Sequence, residues 1–376
     1  MTILGTTLPS AFIAAHWQQK PLLVRGALGH ADALIDGDDL AGIACEPDGD
    51  ARLVFADNGH WRAEHGPFDE TVFAQLPTHS WTLLVQAVDQ WIPEVGELLR
   101  EFGFLPRWRL DDIMVSYAAD GGGVGPHFDY YDVFLLQACG QRAWQIGQRC
   151  DAQSPLRDNP DMKLLRDFNE TGHHTVSPGD MLYLPAGIAH WGTAIGDDCI
   201  TISIGFRAPS KNELLEACGE EPCAEDDIRY RDTPASIDPD PWRINTAAVD
   251  NLLALCAPLT LPRDTVLRAF GSLVTEPRYP ERIASEAALP AAELTALLGA
   301  GQPLALEHHP ASRFAYYSDS TQTLLFVDGE PHRSTHAVAR GICHGQLSNV
   351  SDDEHGLLLQ LLKQGSVLIE AWQARR

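Results

Sequence analysis

The chain has 376 residues, 44% of them hydrophobic and 21% charged, with a formal net charge of −25. That length can bury a sizeable core in more than one domain, and the composition excludes a disordered or fibrous chain. The acidic balance works against a surface that binds nucleic-acid phosphates and favours basic protein partners.

The first segment with a clear pattern covers 111–117, Asp-Asp-Ile-Met-Val-Ser-Tyr, which reads as a strand closed by a turn at Gly121-Gly122-Gly123. Gly125-Pro126-His127-Phe128-Asp129-Tyr130 follows. If this stretch is extended, residues two apart face the same way, so His127 and Asp129 share a side while Phe128 points elsewhere. Residues 132–137 read as the next strand, Gly140 as a break, and 142–146 as a further strand. Ser177-Pro178-Gly179-Asp180 turns into a strand at 181–185, His190 comes next, and 199–206 is the last strand of the series. Short β segments punctuated by Gly, Pro and Asp predict a sandwich or small barrel. Two histidines and one carboxylate are the ligand set of an open non-haem Fe(II) site, with positions left for a cosubstrate and dioxygen. Asp129 and His190 are far apart in sequence, so a returning strand has to bring the third ligand past the first two. Arg142 on the 142–146 strand, if it points inward, has to be paired. Its planar fork suits a carboxylate, such as the far end of 2-oxoglutarate. Ser116 and Thr201 on neighbouring strands can add hydroxyl hydrogen bonds. Asp120 and Asp132 flank the triad as candidate acceptors for a substrate guanidinium at a pocket mouth.

These residues carry a family resemblance. Gly121 to Phe134, with Gly-Gly-Gly-Val-Gly-Pro-His-Phe-Asp-Tyr-Tyr-Asp-Val-Phe, resembles the core of the JmjC-type ribosomal oxygenases of the cupin superfamily. Ser177-Pro178-Gly179-Asp180-Met181-Leu182-Tyr183-Leu184-Pro185, His190, Ser203-Ile204-Gly205-Phe206-Arg207-Ala208-Pro209 and the early His16-Trp17-Gln18-Gln19-Lys20-Pro21 extend it. The similarity is greatest to the bacterial 50S ribosomal protein arginine 3-hydroxylases. It implies a double-stranded β-helix over 1–209, with Fe(II) on His127, Asp129 and His190. It also implies 2-oxoglutarate on Arg142 with help from Ser116, and dioxygen as the second cosubstrate. Thr201 departs from the pattern, since a relative has an asparagine near that position. The implied substrate is an arginine β-carbon in a basic protein of the large ribosomal subunit. Two rival readings stay open. One is another oxygenase substrate, such as a ribosomal histidine, a methylated lysine or a small metabolite. The other is a cupin-like protein that holds metal without turnover, against which a buried cationic anchor argues.

After Pro209 the character changes. Ser210 is a predicted N-cap with Glu213 completing a capping box, and 220–241 reads as an acidic, proline-bearing linker. Helices are predicted over 246–257 and 263–273, with Val249, Leu252, Leu253 and Cys256 at helical spacing. Such a block, 210–273, has to pack on the barrel or on a second copy, and the resemblance implies a homodimer. The remainder, 274–376, reads as an α+β domain. It has a helix at 290–299, a hairpin of 313–317 and 323–327, a tight turn at Asp328-Gly329, a helix at 353–364 and a closing strand at 367–372. This order resembles a winged helix. From Val274 onward there are 8 Lys/Arg against 12 Asp/Glu, so a structural or protein-contact role is expected rather than DNA binding.

His173-His174 and His308-His309 are adjacent pairs that would face opposite sides of a strand, so neither is read as a metal site. The eight cysteines include no C-x-x-C pair, which predicts reduced packing residues. The start of the chain lacks a signal-peptide pattern, and no apolar run reaches membrane-spanning length. A cytoplasmic protein with no membrane contact is expected.

Overall fold

A computed structural model describes residues 2–57, 59–223, 227–285, 289–298, 303–348 and 350–369. The chain divides into two compact units: residues 1–102 with 110–207, and residues 103–109 with 208–376. None of the described helices is long and apolar enough to cross a membrane.

The first unit is built on nine antiparallel strands: β1 (Leu22–Val24), β2 (Ala51–Asp57), β3 (His60–His65), β4 (Trp81–Val85), β5 (Leu110–Ala118), β6 (Asp132–Arg149), β7 (Gly172–Val176), β8 (Met181–Leu184) and β9 (Ile188–Phe206). Their order is β1-β8-β6-β9-β5-β4-β2-β3, with β7 on the far half of β6. The long strands β6 and β9 pair along most of their length and form the spine of the cupin-type double-stranded β-helix. Both faces are buried along the first half of β6, which is why Val133-Phe134-Leu135-Leu136 is a continuous apolar run. Val133 and Leu135 join an inner cluster with Leu182 and Leu184. On the other face, Phe134 packs against Phe12 of the helix Pro9–Ala15, with ring centroids 5.7 Å apart.

Two expectations about this unit are corrected. Gly140 does not end a strand. It takes φ +63° in a bulged stretch where pairing with β9 shifts register between Gln137 and Gln141, and β6 runs on through it. The His-x-Asp segment is not a regular strand either, since His127 makes only an isolated bridge to His190. The turn before β8 is as expected: Asp180 accepts from the backbone N–H of Ser177 and Gly26 and from Arg25, which fixes where β8 starts.

In the second unit the Ser210 cap forms in full. Glu213 N–H donates to Ser210 Oγ, and Ser210 N–H to Glu213 Oε2. The helices are Thr246–Leu255 and Arg263–Thr275. They share one core with the sheet of the C-terminal part: Val249, Leu252, Val266 and Phe270 pack with Tyr317, Leu324 and Phe326. No structural boundary therefore falls at 273. The apolar stripe of the helices finds its partner in that hairpin, an outcome helical spacing alone could not indicate. The hairpin is Phe314–Ser318 with Thr323–Val327, followed by a strand Glu330–Arg333 and a helix His336–Cys343 that the sequence reading did not separate. Asp328 and Gly329 both take positive φ, as a tight hairpin turn requires. The closing strand begins at Val367–Leu368, and its predicted end lies outside the described residues.

Gly271 gives a sharp test of this packing. A Cβ there would come within 2.2 Å of Phe326 Cε1. Helix propensity favours Gly271→Ala by about 1 kcal/mol, but the overpacking costs about 1–3 kcal/mol. A lowered denaturation midpoint is expected, and an unchanged or raised one would contradict the contact.

Candidate active site

The run Gly121 to Gly125 brings the chain hard against β9. A Cβ at Gly123 would sit 2.2 Å from the carbonyl oxygen of Gly192, so only glycine allows this approach. The approach sets up one isolated antiparallel bridge, in which His127 N–H donates to the His190 carbonyl (3.0 Å) and His190 N–H to that of His127 (2.8 Å). Two residues on, the Asp129 carbonyl accepts from Gly187 N–H at 2.7 Å. The three side chains are thus held by backbone pairing at both ends of a short extended loop.

His127, Asp129 and His190 each offer a ligand atom, and these atoms all lie within 4.8 Å of one another. Each imidazole has its Nδ1 at 3.0 Å from a carbonyl oxygen two residues before it, Gly125 for His127 and Ile188 for His190. A carbonyl can only accept, so Nδ1 carries the proton and Nε2 presents a lone pair. Both Nε2 atoms face Asp129 Oδ2, at 3.8 and 3.5 Å. Burial, then the neighbouring His127, pushes the His190 imidazole down to about 4, which keeps it neutral and able to ligate. The Asp129 carboxylate, then burial, holds the Tyr131 phenol well above its ordinary value, so Tyr131 stays protonated beside Asp129. Tyr131 was missed in the sequence because one tyrosine beside another looks like packing. The donor set, two imidazole nitrogens and a carboxylate with one side open, fits a divalent iron ion.

Register places Arg142 on the same face of the β6–β9 ladder as His190. Arg142 lies opposite Ala194, Trp144 opposite Gly192 and Ile146 opposite His190. Arg142 is only 4% exposed, and its Nε and Nη2 meet no acceptor among the described residues. A guanidinium in that state fits a site that receives a carboxylate from outside the chain. Ser116 lies opposite Thr201, and Thr201 opposite Gln137. Ser116 Oγ makes only a long contact to the Thr201 carbonyl, 3.5 Å, and keeps donor capacity. The Thr201 hydroxyl donates to Gln137 Oε1 at 2.9 Å, while the Gln137 amide N–H₂ is directed to the Cys139 carbonyl and Cys199 Sγ. With its one proton committed, Thr201 has none to give a carboxylate.

The two flanking acids do not join the triad. Asp132 is fully buried and accepts from the Tyr183 hydroxyl at 2.7 Å and from Gln18, so it is a core acceptor and not a residue of a pocket mouth. Asp120 is exposed and accepts from Gly196 N–H at 2.7 Å, securing a turn in β9. His173 and His174 sit in β7 as adjacent strand residues.

The β-helix with an open His/Asp/His centre defines the JmjC class of cupin proteins, and a JmjC domain model matches residues 97–214. A ROXA-like winged-helix model matches residues 251–367. Over 292 residues the chain is 37% identical to a probable ribosomal oxygenase of Haemophilus influenzae, covering 74% of this chain and 71% of that protein. It is 33% identical over 282 residues to the ribosomal protein uL16 3-hydroxylase of Escherichia coli, covering 73% of each. The structure of the Escherichia coli ribosomal oxygenase YcfD in complex with cobalt and 2-oxoglutarate superposes with a TM-score of 0.74 at 28% identity, over 97% of this chain and 99% of that one. The chain belongs to the ribosomal oxygenase family, JmjC enzymes with a C-terminal winged helix.

Proposed function

We propose that this chain is an Fe(II)- and 2-oxoglutarate-dependent hydroxylase acting on the β-carbon of an arginine in a large-subunit ribosomal protein. The observation that carries the reading is the pairing, on one ladder face, of a His127/Asp129/His190 centre with the buried guanidinium of Arg142, whose Nε and Nη2 meet no acceptor among the described residues. With dioxygen, iron and 2-oxoglutarate supply the oxidising power that turns an unactivated C–H into C–OH, with succinate and carbon dioxide as co-products.

The chain's own residues do the rest. His127, Asp129 and His190 hold the metal through Nε2, a carboxylate oxygen and Nε2. Tyr131, protonated and close to Asp129, is placed to donate to its carboxylate as partners behind a ligand do in metal sites. Arg142 takes the far carboxylate of the cosubstrate, and Ser116 Oγ can donate to it. Thr201 acts one step back by fixing Gln137. The apolar side chains of Val133, Leu135, Leu182 and Leu184 line the same region and keep water out. The net charge of −25 suits a basic substrate protein. The family resemblance also supports pairing of two copies through 210–273 and a cytoplasmic location, and the 8 Lys/Arg against 12 Asp/Glu from Val274 onward argue against direct contact to DNA.

The test is succinate formation by the purified chain with Fe(II), 2-oxoglutarate and basic ribosomal peptides containing arginine or histidine. Turnover coupled to the mass of one oxygen on arginine is expected. Coupling to histidine would move the substrate, and bound iron with no turnover on any peptide would count against the hydroxylase reading.

A further inference from the structure

Trp144 stands between Arg142 and Ile146 on the inner face of β6, and Ile146 is opposite His190. The span from Arg142 to Ile146 is roughly 13 Å at strand rise. The ring position is tightly defined. Opposite it is Gly192, where a Cβ would come within 2.6 to 2.9 Å of Trp144 Cζ3, Cη2 and Cε3. Atoms of the indole benzo ring therefore lie against the bare backbone of β9, and Nε1 belongs to the other ring of the indole. The Trp144 ring centroid is 5.8 Å from that of His190, and the Arg142 guanidinium carbon is 5.7 Å from Trp144's. Trp144 Nε1 is buried and has no acceptor among the described residues. Residues 142 and 144 thus bring three buried, unsatisfied donors to one strand face: Arg142 Nε, Arg142 Nη2 and Trp144 Nε1.

A buried donor without an acceptor is costly, and three on one strand face call for an acceptor with several lone pairs. A carboxylate supplies them from two oxygens. We propose that Trp144 is a further cosubstrate-binding residue, its indole N–H donating to the same distal carboxylate that Arg142 pairs with. Gly192 is then the position that lets the ring lie where this contact is made. The inference rests on the reading that Arg142 receives the distal carboxylate of a dicarboxylate.

The experiment is anaerobic calorimetry of the manganese-loaded chain. It is titrated with 2-oxoglutarate and with 2-oxopentanoate, which keeps the chelating end and lacks the distal carboxylate. Trp144→Phe keeps an aromatic side chain and removes the indole N–H together with the bulk of the fused ring, so the comparison with 2-oxopentanoate separates the lost donor from lost packing. It is expected to weaken 2-oxoglutarate about tenfold, as loss of a hydrogen bond to a charged group does, and to leave 2-oxopentanoate unchanged. Trp144→His, which returns a ring N–H, is expected to recover part of the preference, and it carries the test if the phenylalanine variant does not fold. Equal weakening of both ligands, or no weakening of either, would overturn the proposal and leave Trp144 a packing residue. If the wild-type chain itself does not prefer 2-oxoglutarate over 2-oxopentanoate, the Arg142 reading fails, and this inference with it.

Discussion

Asp129→Ala is expected to reduce succinate formation below about 1% of the wild-type rate and to weaken Fe(II) binding by more than about a hundredfold. Loss of a partner behind a metal ligand already costs about 10–100-fold, and here the ligand itself is lost. The two ligands that remain are imidazoles, which bring no negative charge, so the carboxylate is the only anionic donor in the set. The fold should survive. His127 and His190 keep their two backbone hydrogen bonds, and the Asp129 carbonyl keeps its bond to Gly187 whatever its side chain. Metal-free wild type and variant should therefore melt together, while metal analysis after dialysis separates them. Wild-type turnover of the variant at saturating Fe(II) would remove Asp129 from the centre.

The triad could be found from sequence because its residue types are chemically specific and sit beside turn residues that mark strand ends. Its geometry was less readable. Alternation in a strand put His127 and Asp129 on one side, but the segment is an extended loop held by a single bridge. What holds it there is the near contact of Gly123 with β9, a long-range fact that three glycines in a row suggest only as a turn. Gly140 was misread for a related reason: a glycine punctuates strands in sequence, whereas positive φ at a bulge lets one strand bend and continue. Strands β2 and β4 carry only short apolar runs, whose period does not separate strand from helix, and although β2 forms a hairpin with β3, the pairings of β4 with β2 and β5 span longer stretches of sequence. Trp144 and Tyr131 were invisible as site residues because an aromatic in a strand is ordinarily core. Their roles rest on an unpaired N–H and on a neighbouring carboxylate. The helical stripe around Leu252 showed that one face must be buried, but only the tertiary structure shows that Phe326 helps bury it.

Arg142→Met separates binding from stability more sharply than any other change in this site. The stem is kept and the charged fork is lost. Breaking a buried charge pair by removing one partner costs about 3–5 kcal/mol, so the KM for 2-oxoglutarate is expected to rise by about two to three orders of magnitude. The ligand-free chain should respond in the opposite direction. There the guanidinium is buried with two nitrogens unsatisfied, and a well-packed apolar side chain of similar volume relieves that burden. Such replacements are neutral or stabilising by about 1–4 kcal/mol. A gain of 1 kcal/mol corresponds to about 2–4 °C in melting temperature for a unit of this size. A raised or unchanged melting temperature together with a collapsed cosubstrate affinity is the expected signature of a residue kept for its ligand. A lowered melting temperature with 2-oxoglutarate binding intact would show instead that Arg142 serves the β-helix itself, and the anchor would have to be sought elsewhere on the β6–β9 face.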